Sequence, residues 1–172
     1  MTGALTRRGP LDGARRTRLG PWLLLAAVAL LWFGLLEVRG LYFPDEGRYA
    51  EIPREMLESG DWVTPHLNGI PYFEKPPLQY WATAAVFGVA GTDEWTTRLW
   101  PALAGLLAVC AVLLTARRVL SPRAGWMAAA VMGSCWGYFV GGQFVTLDMT
   151  LTAFMTGALC AFIVAQLSTH WR

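Results

Sequence analysis

Charged side chains are scarce in this sequence: they make up 15% of its 172 residues, whereas hydrophobic residues make up 55%. The mean hydropathy of +0.38 is too high for an ordinary soluble domain of this length, and the apolar residues are gathered in long runs. The net charge of +2 provides no strongly basic surface, so a nucleic-acid partner is not expected. The composition predicts a membrane protein.

Cysteine and histidine are also rare. Cys110, Cys135 and Cys160 lie far apart in apolar stretches, and His66 and His170 show no ligand spacing with them. We therefore expect neither a redox pair nor a zinc site built from this chain alone.

Four apolar runs predict transmembrane helices, which need about 20 mostly apolar residues each. They are residues 21–36, 99–114, 124–141 and 149–166. A basic tail, residues 1–18, precedes the first run, and residues 19–172 form the transmembrane region. A signal peptide has a similar beginning, but no small-residue cleavage pattern follows this run, which favours a retained anchor. The predicted fold class is therefore an all-α, multi-pass membrane protein.

Residues 77–91 form a fifth apolar run that is too short to be a clear span. If this run crossed the bilayer, Arg117, Arg118 and Arg123 would lie opposite the basic tail. If it lies along the membrane surface, the tail and these arginines share the cytoplasmic side, as the positive-inside rule favours. We therefore predict an interfacial helix, four spans and an outer loop at residues 41–98. Asp148, at the start of the fourth run, then faces the same side as this loop.

The first part of the loop, GRYAEIPREMLES, has the apolar spacing of a helix, which Pro53 should kink. A helix that begins near Asp45 places Arg48 and Tyr49 at i+3 and i+4, on one face with the carboxylate. The alternative is that Asp45 is a simple helix N-cap at the membrane edge, and the spacing alone does not decide between them.

Two further candidates lie at the edges of apolar runs. Glu74 and Lys75 precede two prolines that stiffen the backbone, and Lys75 there suits a lipid phosphate. An ordinary lysine that extends to the headgroups explains Lys75 nearly as well. Asp148 begins an apolar run, where desolvation of a carboxylate is costly and indicates function, although helix capping is an equal alternative.

Three segments of the loop resemble lipid-linked glycosyltransferases almost word for word: FPDEGRYAEIPREML, SGDWVTPHLNG and YFEKPPLQYW. Within that family they are most similar to the bacterial aminoarabinose transferases that modify lipid A, which are relatives of the protein O-mannosyltransferases. The segment TLDMTLT resembles the second acidic motif of these enzymes, and the match runs from residue 41 to about residue 154.

The resemblance implies a GT-C fold in the bacterial inner membrane, with the N-terminus cytoplasmic and the active-site loop periplasmic. It implies a transferase that moves 4-amino-4-deoxy-L-arabinose from undecaprenyl phosphate to lipid A, a modification linked to polymyxin resistance. Its implied catalytic residues are Asp45 and Asp148, and its implied substrate-binding residues are Arg48, Tyr49, Tyr72, Glu74 and Lys75. Some relatives hold a divalent metal near the residue that matches Glu74, with its other ligands outside this chain.

The chain departs from the family in its length, because known members are considerably longer. We therefore expect an N-terminal fragment or a shortened gene product that is inactive alone but keeps the family roles of its site residues. Three alternatives stay open. The chain could belong to an enzyme that uses an acceptor like that of the protein O-mannosyltransferases, to a transporter that uses Asp45 and Asp148, or to a non-catalytic scaffold. A transporter usually places its charges near the middle of the membrane, which disfavours that alternative.

Overall fold

The computed structural model describes residue 23 and residues 26–169. Its first helix, α1, covers residues 26–34 of the described range. The remaining elements, in chain order, are α2 (Asp45–Ser59), β1 (His66–Leu67), β2 (Ile70–Pro71), α3 (Leu78–Ala90), α4 (Glu94–Val119), α5 (Pro122–Ser134), α6 (Trp136–Gln143) and α7 (Leu147–Thr169). The described residues are thus mostly helical, as the apolar runs predict.

Helix α4 is the centre of the described fold, because α3, α5, α6 and α7 all pack against it. The indole of Trp32, on α1, is buried and donates a hydrogen bond of 2.8 Å to the Ala102 carbonyl of α4. At the other end, α5 turns back so closely that a Cβ on Gly125 would stand 2.7 Å from the Leu113 carbonyl. Only glycine allows this approach of two backbones.

Within residues 26–169, two helices are long and apolar enough to cross a membrane: Glu94–Val119 and Leu147–Leu167. They contain the second and fourth predicted spans. The prediction of one continuous helix over residues 124–141 is wrong, because Cys135 adopts an extended conformation (φ −64°, ψ 118°) and separates α5 from α6. Gly133, Ser134 and Gly137 lie beside Cys135, and glycine and serine favour a helix less than alanine does. The first predicted span lies partly outside the described residues, and the count of four spans stays a prediction.

Helices α2 and α3 and a short hairpin form the outer loop. The predicted apolar stripe of α2 is buried: Tyr49, Ile52 and Met56 pack with Tyr80 and Ala84 of α3. Residues 77–91 are helical, as the sequence predicts, with α3 at Leu78–Ala90. The structure adds one element that an all-α prediction omits, the antiparallel pair of β1 and β2. Its turn requires positive φ at Asn68 (53°) and Gly69 (75°), which an Asn-Gly pair tolerates.

Candidate active site at the outer end of the helices

Asp45 lies at the first residue of α2 and its side chain is exposed. The N-cap of the helix is Pro44, and no side chain caps it, so the interpretation of Asp45 as the N-cap is wrong. The Arg48 guanidinium donates a hydrogen bond of 2.6 Å from Nη2 to Asp45 Oδ1. The spacing of three residues therefore brings this carboxylate and this cation together, as one helical turn allows.

An aromatic cluster lies beside this ion pair. The ring of Tyr49 stacks on that of Tyr80, with centroids 6.1 Å apart and planes at 26°. The Arg48 guanidinium carbon lies 5.5 Å from the Tyr49 ring centroid and 5.9 Å from that of Tyr72. We call these four side chains, Arg48, Tyr49, Tyr72 and Tyr80, the tyrosine cluster. A cation over aromatic faces is stabilised by the ring quadrupoles, so the cluster holds Arg48 in place.

Tyr72 connects the tyrosine cluster to Glu74 and Lys75. Its backbone N–H donates 2.8 Å to the Pro65 carbonyl, and its hydroxyl donates 2.9 Å to Glu74 Oε2. Burial raises the pKa of Tyr72, and the hydrogen bond to Glu74 raises it further. Lys75 is exposed just before α3 and has no ion-pair partner among the described residues. Its ammonium group is thus available to an external anion.

Asp148, from a distant part of the sequence, acts electrostatically on the tyrosine cluster. It lies exposed in the first turn of α7. Burial raises the pKa of Tyr49; Arg48 opposes that shift, while the negative charges of Asp45 and Asp148 add to it. Both carboxylates therefore act on one phenol. Asp45 and Asp148 thus lie within electrostatic range of the same phenol, and their placement on one side of a membrane stays a prediction.

A chain of polar contacts fixes the first turn of α7. The Thr150 hydroxyl donates 2.6 Å to Gln79 Oε1 of α3 and accepts 3.1 Å from the Trp100 indole of α4. Gln79 directly precedes Tyr80, so the turn that carries Asp148 is tied to the helix that carries part of the tyrosine cluster. Buried polar side chains with satisfied partners hold such elements in one arrangement.

Sequence reasoning missed the most buried charge of this region. Glu46, next to Asp45, has 0% exposure and is paired with Arg98 of α4, which has 1% exposure. Arg98 Nε and Nη2 donate to the two carboxylate oxygens at 3.1 and 3.0 Å. Arg39 makes a second bidentate pair with the same carboxylate at 2.5 and 3.0 Å. We call Glu46, Arg98 and Arg39 the buried ion cluster.

The buried ion cluster joins four segments of the chain. Arg98 donates to three carbonyls at the end of α1, those of Leu36 (2.6 Å), Arg39 (2.8 Å) and Gly40 (2.9 Å). Glu46 accepts 3.1 Å from the N–H of Val145, three residues before Asp148. The position of Asp45 and the path of the chain towards Asp148 therefore depend on one carboxylate. Spacing along the chain could not show this pairing, although an arginine at the start of an apolar run is itself a signal.

The pKa of Glu46 reports the strength of this arrangement. Burial by itself raises it, but hydrogen bonds from Arg98, Arg39 and the N–H groups of Tyr42 and Val145 outweigh burial. The pKa falls to about 2. The carboxylate is therefore ionised at any physiological pH.

Glu55 clamps the hairpin that leads to Tyr72. Its two carboxylate oxygens accept from the N–H groups of Asn68 (2.5 Å) and Gly69 (3.1 Å). We expect Glu55→Gln to speed amide exchange at these two positions about tenfold, because a neutral amide accepts less strongly and offers only one acceptor oxygen. Hydrogen exchange resolved by mass spectrometry measures this.

Glu58→Gln is the matched control for that experiment, because Glu58 lies on the same helix but pairs with Arg54 and is exposed. It should leave exchange in the hairpin unchanged. Equal amide exchange rates in the Glu55→Gln variant and the unaltered chain would show that the turn is stable without the Glu55 carboxylate.

A metal site is not formed by the described residues of this chain. No group of three or more His, Cys, Asp or Glu side chains gathers within them. Glu74 accepts a hydrogen bond from Tyr72 and belongs to no such group of three in that part of the chain. The residues present therefore do not fit a self-contained divalent metal site.

Comparison with known proteins identifies the family. A sequence profile described as "Dolichyl-phosphate-mannose-protein mannosyltransferase" matches residues 19–172. The chain belongs to this family. Its members are glycosyltransferases that use lipid-linked donors.

Individual relatives within the family are the bacterial enzymes named undecaprenyl phosphate-alpha-4-amino-4-deoxy-L-arabinose arabinosyl transferase. The chain is 36% identical to that of Edwardsiella ictaluri over 157 residues, covering 90% of this chain and 28% of the relative. It is 41% identical to the arabinosyl transferase 2 of Pseudomonas fluorescens over 141 residues, which covers 81% of this chain and 24% of the relative. The chain thus spans about a quarter of the length of these relatives.

Solved structures of the family match the fold described above. The crystal structure of ArnT from Cupriavidus metallidurans bound to undecaprenyl phosphate superimposes with a TM-score of 0.76 at 42% identity, covering 83% of this chain and 27% of that one. The apo structure of the same protein gives 0.78 at 43% identity, covering 86% and 28%. At this identity and coverage, the chain shares the fold of the matching part of that protein.

Proposed function

We propose that this chain forms the donor-binding, N-terminal part of a transferase. The reaction moves 4-amino-4-deoxy-L-arabinose from undecaprenyl phosphate to lipid A or a related acceptor. The observation that carries the proposal is the Asp45–Arg48 ion pair beside the tyrosine cluster, in which the Tyr72 hydroxyl donates to Glu74. Relatives at 36–41% identity carry the aminoarabinose transferase name, and one solved relative binds undecaprenyl phosphate.

The leaving group of the proposed reaction is the lipid phosphate, which needs little activation by the protein. A lipid phosphate departs readily once its growing charge is neutralised, and Lys75 and Arg48 supply positive charge at this face. A carboxylate near the anomeric carbon stabilises oxocarbenium character or holds the amino group of the sugar. Asp45 acts as a base only if the acceptor is a hydroxyl, because a phosphate acceptor is already a nucleophile.

The membrane arrangement that this reaction needs is also part of the proposal. We infer four spans, a cytoplasmic N-terminus, α3 lying along the surface and residues 41–98 in the periplasm of a bacterium. The arginines of the tail and of residues 117–123 then share the cytoplasmic side, while Asp45, Glu74 and Asp148 face outward.

The decisive experiment compares two proteins in a bacterial strain that lacks its own aminoarabinose transferase. One is this 172-residue chain alone. The other is a chimera in which the chain replaces the matching segment of the Pseudomonas fluorescens relative. We expect aminoarabinose on lipid A, and survival in polymyxin, only with the chimera, because this chain spans only about a quarter of the length of its relatives. Mass spectra of lipid A measure it.

Each other outcome has a defined meaning. Transfer by the isolated chain would refute the expectation that it is inactive alone. A folded, membrane-inserted chimera that leaves lipid A unmodified would contradict the aminoarabinose assignment. Mannose on membrane proteins would instead support the acceptor type that the family description names.

A further inference from the structure

The hydroxyl of Tyr80 is buried without a hydrogen-bonding partner. Tyr80 has 0% exposure, and among the described residues no protein group lies within bonding distance of its hydroxyl. A buried polar group without a hydrogen bond lowers the stability of the folded state, so its presence here needs an explanation. The reason is either a purely structural one or a partner that comes from outside the chain.

A second unpaired donor belongs to the same cluster. The Nε–H of Arg48 is buried without a partner in the described part of the chain, while Nη2 of the same guanidinium binds Asp45. Arg48 lies over Tyr49, and Tyr49 stacks on Tyr80. The charges of Arg48 and Glu74 both act on the Tyr80 phenol. Two unsatisfied donors therefore occur in one small cluster, beside the candidate site.

The chemistry of the two donors defines the missing partner. Arg48 Nε can only donate, and the unpartnered Tyr80 hydroxyl donates most strongly to a charged acceptor. The nearby carboxylates already accept hydrogen bonds, Asp45 from Arg48 and Glu74 from Tyr72. The partner is therefore an acceptor with negative charge. A phosphate oxygen fits this description better than a sugar hydroxyl, because charge-assisted hydrogen bonds are the stronger ones.

Tyr80 follows the candidate phosphate-binding residue Lys75 closely along the chain. Tyr80 is the third residue of α3, within the first turn after the Glu74-Lys75-Pro76-Pro77 segment. Tyr72, which packs against the cluster and is partly exposed, forms its outer side. Because Lys75 is exposed, Tyr72 is partly exposed and Tyr80 is fully buried, a ligand that comes from solvent meets Lys75 and Tyr72 before it meets Tyr80.

We propose that the Tyr80 hydroxyl, together with Arg48 Nε, donates to a phosphate oxygen of the polyprenyl donor. This inference rests on the proposed function and adds a phosphate-binding residue to it. Tyr80 is a binding residue here, and no bond-making step is assigned to it.

Tyr80→Phe in the full 172-residue chain tests the inference. The chain is reconstituted in nanodiscs of zwitterionic lipid, and affinity is measured by tryptophan fluorescence for undecaprenyl phosphate, neutral undecaprenol and inorganic phosphate. We expect Tyr80→Phe to weaken undecaprenyl phosphate binding roughly tenfold or more, since one hydrogen bond to a charged group is lost. Undecaprenol binding should not change. Inorganic phosphate should bind more weakly overall, but its affinity should fall by the same factor, because both ligands carry the phosphate group.

Thermal stability without ligand separates this role from a structural one. If the hydroxyl has no partner until the ligand binds, its removal leaves the midpoint of unfolding unchanged or raises it. Tyr42→Phe is the matched control, because Tyr42 is exposed and packs its ring on Phe144 away from the cluster. It should alter neither affinity nor stability.

Three results would overturn the inference. Equal affinity of Tyr80→Phe and the unaltered chain for undecaprenyl phosphate would overturn it and leave the proposed function standing. An equal loss of affinity for undecaprenyl phosphate and for undecaprenol would also overturn it, because that result would indicate that Tyr80 packs against the lipid tail. An unaltered chain that binds undecaprenol but not undecaprenyl phosphate would overturn the inference and the donor assignment together.

Discussion

Glu46→Gln should lower the free energy of unfolding by about 3–5 kcal/mol, which is the usual cost of removing one partner from a buried ion pair. The glutamine keeps the shape of the side chain but leaves Arg98 buried at 1% exposure without its anion. It also weakens the acceptor for the Val145 N–H. Unfolding in detergent, followed by tryptophan fluorescence and circular dichroism, measures the loss.

Glu51→Gln is the control for this substitution. Glu51 lies on the same helix and pairs with Arg54, but both side chains are partly exposed, at 29% and 39%. Such pairs contribute little, so the change should stay within about 1 kcal/mol. Similar losses for Glu46→Gln and Glu51→Gln would contradict the importance of the buried ion cluster.

The same carboxylate predicts how stability depends on pH. The pKa of Glu46 is lowered from 4.5 to about 2 on folding. A lowered pKa adds stability that is fully present above the unfolded value and is lost as pH falls through the folded value. The unaltered chain should therefore lose about 3 kcal/mol between pH 4.5 and pH 2, and Glu46→Gln should lose much less over this interval. Parallel pH profiles for the two proteins would contradict the assignment.

Asp45→Asn and Asp148→Asn should each reduce sugar transfer by about 10²–10⁴-fold in the active chimera, the range for removal of a positioned acid or base. Both side chains are exposed, so neither change should disturb folding by more than about 0.5 kcal/mol. Donor binding should be kept or strengthened, because each substitution removes negative charge near a phosphate. Initial rates with synthetic donor, beside binding measurements, separate the two effects.

Asp61→Asn is the matched control for the two aspartate substitutions. Asp61 is in the same outer loop and accepts through Oδ1 from the N–H groups of Val63 and Thr64, which an asparagine oxygen can replace. Its transfer rate should equal that of the unaltered protein. If Asp45→Asn and Asp148→Asn also keep that rate, neither carboxylate takes part in transfer and the scaffold interpretation gains support.

Much of the helical arrangement follows from local pattern. The apolar runs that become α4 and α7 are continuous in the sequence, and the stripe of Tyr49, Ile52 and Met56 is buried as its spacing predicts. The contact of Asp45 with Arg48 also follows from a spacing of three residues. In each case the relevant interaction lies within one helix, so the sequence contains the information directly.

Other features depend on residues that are far apart in the chain. Glu46 and Arg98 are 52 positions apart, and their pairing decides where Asp45 stands. The hairpin clamp by Glu55 likewise joins residues 13 positions apart, which no helical or strand period relates. The sequence alone did not show either of these contacts.

The sequence by itself determined the membrane character, the helices and the residue types of the site, because hydrophobicity and helical period are properties of neighbouring residues. Only the tertiary structure decided which charges are buried, and it alone brought Asp148 and Tyr80 to the side of Tyr49. The physical reason is desolvation: the cost of a buried carboxylate or phenol depends on which distant groups surround it after folding.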